Sequence, residues 1–186
     1  MSTTLERPSV HSLESLAALD RAALMALFRS LPAPERTELD GEYVSRLPDY
    51  AEAEWRTAMA AVGKDYWLGK SYTPAPLDGH HGHGLNRYRS ADGVIRRNSR
   101  FVWDIAPSTV DDRISLVMRY AHFQNWGGGH DLIDEVRVVG PSLYLGLYHT
   151  KAPVPGFTPR PGGARSGIEF FMLSGPVAAF VPAERD

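Results

Sequence analysis

After Gly63 the chain alternates short strand-like segments with turn residues, and this pattern constrains the fold more than any other feature. The segments are rich in β-branched, aromatic and alternating residues, and Gly, Pro, Asn or Asp separates them. They are residues 65–72, 84–90, 93–104, 113–122, 132–139, 142–150 and 167–174. Ala91-Asp92-Gly93 is a good hairpin connection between the second and third segments. Many consecutive strands with short connections predict an antiparallel barrel or a strongly curved sheet.

Helical periodicity precedes the strands. Apolar residues from Leu13 to Phe28 recur at helical spacing, with Ser12 as N-cap and Pro32 after the end, which predicts one amphipathic helix of about four turns. A second helix is predicted over 49–62, where Trp55, Met59 and Val62 share a face. We therefore expect a mainly β protein with N-terminal helices and an antiparallel barrel of about 7–9 strands. The expected organisation is a single domain over 1–186, with a loose arm at 1–11, a helical segment at 12–62 and the barrel at 63–186.

Composition limits the classes of function. A chain of 186 residues is long enough for one domain with a substantial core. The net charge of −2 gives no electrostatic support for binding nucleic acid or an anionic membrane. The absence of cysteine excludes disulfides, thiolate nucleophiles and cysteine zinc sites. Neither a signal core nor an apolar run of about 20 residues is present, so we expect a cytoplasmic protein; a homodimer is a hypothesis for its assembly.

The hairpin-like stretch 132–150 carries the first candidate site. Asp134 and His149 interrupt a face that is otherwise aliphatic. The remaining members of that face are Leu132, Val136, Val138, Leu143, Leu145 and Leu147. Because a charge on an apolar face usually needs a reason, these two residues mark a place to look for chemistry.

Strand order brings two more polar residues to the same place. If 113–122, 132–139 and 142–150 are antiparallel neighbours, Tyr120, His122, Asp134 and His149 gather at one mouth of an aliphatic cavity. A carboxylate beside imidazoles and a phenol suits general acid–base catalysis, so these four are the predicted catalytic residues. They also suit the solvent-wetted ends of core strands, because a one-residue register slip turns Asp134 outward. In that alternative the opposite face of these strands lines a polar cavity. That face carries Arg119, Glu135, Arg137, Tyr144 and Tyr148.

Aromatic residues at strand positions are expected either to fill the barrel or to form the wall of a pocket. The predicted ligand-binding residues are Trp67, Tyr88, Trp103, Met118 and Leu145. Tyr72 and Phe101 share this interpretation. Arg96, Arg97 and Arg100 within one strand are expected to be exposed, with pairing to a carboxylate ligand as the alternative. Serine-hydrolase and phosphate-loop motifs are absent from the sequence.

The histidine-rich run Gly79–Gly84 is a second candidate site. His80, His81 and His83 are dense enough to bind a transition metal, with Asp104 or His130 completing the shell. The glycine-rich setting and the lack of a metal-site motif favour a solvent-exposed loop instead. We therefore predict no metal and no cofactor.

Four segments resemble the small bacterial proteins named for a GXWXG motif and their adjoining domain of unknown function. The segments are LFRSLPAPERTELDGEY, WLGKSY, LIDEVRVVGPSLYLGLYHT and GIEFFMLSGP. Trp67, Gly69, Lys70, Asp134 and Arg137 stand at matching positions. The resemblance implies a lipocalin-like, calycin-type barrel that holds an apolar small molecule, and it implies no settled reaction.

Three hypotheses for function follow. The first is a barrel that binds a hydrophobic or aromatic small molecule and acts on it as a cofactor-independent cyclase or isomerase. The second is a carrier or sensor of such a ligand without chemistry. The third is a metal- or haem-binding barrel that uses the histidines at 80–83 or one axial histidine.

Overall fold

The computed structural model describes residues 11–61, 66–125, 132–150 and 167–183. The helices are α1 (Leu13–Ala17), α2 (Arg21–Ser30) and α3 (Glu52–Ala61), and a 3₁₀ turn spans Tyr120–His122. The strands are β1 (Gly41–Arg46), β2 (Tyr66–Thr73), β3 (Gly82–Arg89), β4 (Ile95–Pro107), β5 (Ile114–Arg119), β6 (Leu132–Gly140), β7 (Leu143–Thr150) and β8 (Glu169–Ala178). Within these ranges, no helix is long and apolar enough to cross a membrane.

The described strands close into an eight-stranded antiparallel barrel in sequence order, with β8 pairing back onto β1. The predicted fold class is confirmed. Strand β1 lies in the region predicted to be helical, so that segment boundary was wrong. Its outward side chains include Glu42 and Arg46, which gave the sequence pattern too little apolar alternation to mark a strand. A closed barrel leaves no unpaired edge.

The first predicted helix is two helices. Asp20 caps the second one, because its carboxylate accepts a hydrogen bond of 2.8 Å from the backbone N–H of Ala23. Leu16 of α1, with Leu24 and Phe28 of α2, packs against the outer face of β7 and β8. Both faces of β7 over residues 143–147, and of β8 over residues 170–173, are therefore buried.

The barrel interior is filled mainly by aromatic side chains. Every strand contributes to one buried cluster. Its larger members are Tyr43, Trp67, Tyr72, Tyr88, Phe101, Trp103, Tyr120, Tyr144 and Phe171. Gly146 makes room for one of these rings, because a Cβ atom there would lie 2.2 Å from Cζ of Phe171. The interior is closely packed, as expected for a barrel of this strand number.

A β-bulge in the β6–β7 hairpin decides which residues face inward. Gly140 pairs with Leu143, but Val138 pairs with Tyr144, so the register shifts by one residue between them. The shift pairs Asp134 with Tyr148 instead of His149. The β7 leucines at 143, 145 and 147 consequently face the helices outside the barrel. The predicted face, which joined them to Asp134, was wrong because a one-residue slip exchanges the two faces of a strand.

Candidate functional site

A buried ion pair crosses the barrel interior. Lys70 of β2 and Asp134 of β6 are joined by a contact of 2.6 Å between Nζ and Oδ2. Their side chains are 2% and 3% exposed. Such a pair is retained only where hydrogen bonds satisfy most of the remaining donors and acceptors, because both charges have lost their hydration.

Tyr120 and Asn86 supply those hydrogen bonds. The Lys70 ammonium donates to Oδ1 of Asn86 at 2.8 Å and to the Tyr120 hydroxyl oxygen at 2.6 Å, in addition to Asp134. Asn86 Nδ2 also donates to the Tyr120 oxygen, at 3.0 Å. Because the Tyr120 oxygen accepts two hydrogen bonds, its own hydrogen goes to Oδ2 of Asp134, 2.9 Å away. We call these four residues, Lys70, Asn86, Tyr120 and Asp134, the interior polar cluster.

One atom of the cluster remains open. Oδ1 of Asp134 is buried and has no hydrogen-bond partner among the described residues. The Lys70 ammonium has used its three donors, whereas the carboxylate keeps unused acceptor capacity. The cluster therefore presents an unused carboxylate oxygen, and no free ammonium or hydroxyl donor, to anything that reaches it.

Aromatic rings surround the ammonium group. Lys70 Nζ lies 5.2 to 5.4 Å from the ring centroids of Trp67, Phe101, Tyr120 and Phe171. Burial lowers the pKa of Lys70, and the Asp134 charge opposes that shift. Burial, reinforced by the Asp134 charge, raises the pKa of Tyr120 well above its usual value, so Tyr120 stays protonated.

A second layer of rings covers the cluster. Trp67 pairs with Tyr88 across β2 and β3, one interior position beyond the Lys70–Asn86 pair. Trp67 Nε1 donates to Asn86 Oδ1 at 3.2 Å. Trp55 of α3 packs on Trp67 with ring centroids 5.8 Å apart. Helix α3 thus reaches this layer from outside the barrel strands.

The structure brings together two of the four predicted catalytic residues. Tyr120 and Asp134 are hydrogen-bonded in the interior. His122 lies on the outside, where Nε2 is 3.0 Å from Oδ2 of Asp78. His149 also points outward, with Nε2 at 2.7 Å from the Thr109 hydroxyl. The β6–β7 bulge accounts for the position of His149, and the turn after β5 accounts for that of His122.

The predicted ligand-binding residues divide in the same way. Trp67, Tyr88, Trp103 and Met118 belong to the interior cluster of side chains. Leu145 lies outside the barrel, in the core beneath α1 and α2. The prediction that Leu145 lies in the interior was wrong, because the β6–β7 bulge exchanges the two faces of β7.

The alternative polar face is not a cavity either. Tyr144 and Tyr148 face inward, whereas Glu135 and Arg137 are buried on the outer side. Arg137 binds both carboxylate oxygens of Asp111 at 2.6 and 2.8 Å and the carbonyl of Phe28 at 2.9 Å. It therefore joins α2 to the barrel wall.

Arg97 was expected to be exposed. It instead forms an ion pair with Glu42, at 2.9 Å.

Two members of the interior polar cluster were missed as site residues. Lys70 interrupts the WLGKSY strand just as Asp134 interrupts its own, and the same argument from charge on a buried strand applies to it. Asn86 carries no such signal, because a single amide in a strand is ordinary. Only the cross-barrel contact identifies it.

The histidine-rich run does not converge on one point. His80 Nδ1 lies 2.7 Å from Oδ2 of Asp104, the carboxylate that the metal hypothesis placed near these histidines. His81 Nδ1 accepts a hydrogen bond from the backbone of Ile105, and His83 Nδ1 lies 3.1 Å from the carbonyl of Ala75. In the part of the chain that is described, no group of three or more histidine or acidic side chains is arranged to hold a metal ion. His130 lies outside the described residues.

Comparisons with known proteins support the fold and nothing finer. No family model matches the chain. No curated protein matches it either. A crystal structure of a protein from Thermomonospora curvata is similar with a TM-score of 0.56 at 20% sequence identity, over 84% of this chain and 87% of that one. At this identity the similarity shows a shared barrel architecture.

Proposed function

We propose that the barrel binds a small molecule with an apolar or aromatic body and one hydrogen-bond donor, which bonds to Asp134. The observation that carries the proposal is the buried Oδ1 of Asp134, which lacks a partner among the described residues. Buried polar atoms in native proteins are nearly always hydrogen-bonded, and an exception needs an explanation. A ligand donor is the explanation that fits an open acceptor enclosed by aromatic rings, and the rings must rearrange to admit the ligand.

The charge balance of the cluster indicates what kind of donor fits. Lys70 already neutralises Asp134, so a cationic ligand gains little there. A neutral hydroxyl, phenol, enol or amide N–H gains a charge-assisted hydrogen bond without adding charge to the interior. The surrounding rings would stack on a planar apolar body. Trp67 or Trp55 must move aside for the ligand to pass, because they form the layer above the cluster.

The same arrangement supports a cofactor-independent isomerase or cyclase. Asp134 Oδ1 would take a proton from the substrate and return it to another atom of the same molecule, so that no redox partner is needed. Tyr120 and Lys70, both bonded to Oδ2, would hold the carboxylate in place and moderate its basicity. His122 and His149 have no part in this proposal, since both bind partners on the outside of the barrel.

A non-catalytic carrier is the second candidate, and one observation favours it. Within the interior polar cluster the two acidic groups, the Lys70 ammonium and the Tyr120 hydroxyl, already use all their donors. A site with an open acceptor and no free acid can hold a ligand without converting it.

The test of binding uses 2-naphthol and 2-methoxynaphthalene, which share an aromatic body and differ in the donor. Quenching of tryptophan fluorescence should show that the wild-type protein prefers 2-naphthol by about ten- to hundredfold, the worth of a hydrogen bond to a charged group. Asp134→Asn should abolish the preference, and Asp92→Asn in the exposed β3–β4 turn should keep it. Equal affinity of the wild-type protein for both compounds would contradict the proposal.

The emission of bound 2-naphthol then separates the two candidates. Excited 2-naphthol is a strong acid, and its neutral and ionised forms emit at different wavelengths. Naphtholate emission that disappears in Asp134→Asn supports proton abstraction by Asp134. Bound 2-naphthol that emits only as the neutral form favours the carrier.

A further inference from the structure

The turn between β2 and β3 contacts the barrel wall through two reciprocal carboxylate–imidazole pairs. His80 of the turn lies 2.7 Å from Asp104 of β4, measured from Nδ1 to Oδ2. Asp78 of the same turn lies 3.0 Å from His122, measured from Oδ2 to Nε2. Each side thus contributes one acid and one imidazole. The two imidazole rings lie next to each other, with centroids 5.3 Å apart and planes at 84°.

The carboxylates determine which imidazole nitrogens carry lone pairs. A nitrogen that bonds to a carboxylate is the protonated one, so a neutral His80 has its lone pair on Nε2 and a neutral His122 has it on Nδ1. A carboxylate on the far nitrogen of a histidine is the usual arrangement behind a metal ligand, because it fixes the tautomer and increases the basicity of the ligating atom. Both His80 and His122 have such a carboxylate partner, Asp104 and Asp78 respectively.

The ring spacing fits joint coordination as well as it fits an ordinary edge-to-face contact. Zinc binds imidazole nitrogen at about 2.0–2.1 Å, and two tetrahedral imidazole ligands then have their ring centres about 5.2 Å apart. The observed separation is 5.3 Å. The side chains are 27% and 25% exposed, so water can reach the remaining coordination positions.

We propose that His80 and His122 form an open site for a borderline divalent transition metal such as Zn²⁺, Ni²⁺ or Cu²⁺. Asp104 and Asp78 orient the two ligands from behind, and water completes the shell. A structural zinc almost always has four protein ligands and a catalytic zinc has three, so this two-histidine site holds an exchangeable ion. The order of affinity follows the general series, with Cu²⁺ bound more tightly than Zn²⁺ or Ni²⁺.

The other histidines of the run provide the controls. His81 and His83 each have Nδ1 bonded to the backbone, and neither has a carboxylate partner recorded in the described chain. Arg119 also contacts Asp104, at 3.2 Å, and its charge opposes a bound cation. Removing that charge in Arg119→Gln should therefore strengthen metal binding.

The test is a calorimetric titration of the full-length protein with Zn²⁺ near neutral pH. One equivalent is expected to bind. His80→Gln and His122→Gln should each weaken binding at least tenfold, His83→Gln should leave it unchanged, and Asp78→Asn or Asp104→Asn should weaken it about 10- to 100-fold. Circular dichroism checks that each variant is folded. Lack of Zn²⁺ binding by the wild-type protein, full binding by the His80 and His122 variants, or an equal loss in His83→Gln would each overturn the proposal.

Discussion

Tyr120 donates its hydroxyl hydrogen to Asp134 across a distance of 2.9 Å, because Lys70 and Asn86 occupy the acceptor positions of the same oxygen. Oδ2 of Asp134 thus accepts hydrogen bonds from Tyr120 and Lys70, whereas Oδ1 has no partner among the described residues. The sequence alone predicts that the two residues lie close together, and the structure places Tyr120 in the 3₁₀ turn after β5 and Asp134 in β6. The direction of the hydrogen bond follows only from the contacts made by β2 and β3.

Removing the Tyr120 hydroxyl should destabilise the fold. In Tyr120→Phe the donors of Lys70 and Asn86 lose an acceptor and Asp134 loses a donor, at a cost of about 1–3 kcal/mol in the free energy of unfolding. Tyr72→Phe is the matched control, because among the described residues the Tyr72 hydroxyl hydrogen-bonds only to the weakly accepting sulfur of Met118, at 3.5 Å. Its cost should stay below about 1 kcal/mol. Urea unfolding measures both. Equal costs would contradict the hydrogen-bonding scheme.

The Lys70–Asp134 pair should be strongly coupled in stability. Lys70→Met leaves a buried carboxylate without its counter-charge, which costs about 3–5 kcal/mol. In the double variant Lys70→Met/Asp134→Leu no charge remains unpaired, and part of the loss should be recovered. The exposed Arg46–Asp49 pair is the control, and Arg46→Met should cost no more than about 1 kcal/mol. Additive losses in the cycle at Lys70 and Asp134 would show that the pair is not formed.

Alkaline titration should reveal how many phenols are buried. Burial raises the pKa of Tyr43 to about 12 and raises the pKa values of Tyr72, Tyr88, Tyr120, Tyr144 and Tyr148 as well. These six of the eight tyrosines in the chain should therefore stay protonated near pH 10 in the folded protein. Ultraviolet absorbance measures this step, and all eight should titrate near pH 10 in urea.

The same shifts fix the direction of alkaline unfolding. Above about pH 10 the folded state holds more protons than the unfolded state, so stability is complete below that pH and falls as the pH rises further. Circular dichroism should show unfolding together with the delayed phenol ionisation. Phenols that ionise near pH 10 without any loss of structure would show that the interior is open to solvent.

The contrast between β6 and β7 shows how far sequence reasoning reaches. Strand positions and antiparallel order follow from turn residues and apolar alternation, so Asp134 could be assigned to a strand next to the segment that carries Tyr120. The structure ends that segment's strand at Arg119 and places Tyr120 in the 3₁₀ turn that follows. The bulge between Val138 and Gly140 could not be foreseen, because apolar alternation does not indicate where a strand holds an extra residue. Helices α1 and α2 also bury the outer face of β7, so leucines at 143, 145 and 147 did not mark the interior.

Gly146 offers a direct test of the register that the bulge imposes. In Gly146→Ala the new methyl group would lie 2.2 Å from Cζ of Phe171, and overpacking of this kind costs about 1–3 kcal/mol. Phe171→Leu shortens the ring that is in the way, so it should reduce the cost of Gly146→Ala when the two changes are combined. Phe170→Leu is the control, because Phe170 packs in the outer core and should give no such relief. Thermal unfolding of the four single and double combinations measures the coupling. If Gly146→Ala is harmless, or if Phe170→Leu relieves it as well as Phe171→Leu does, then the β7 leucines and not its tyrosines face the interior.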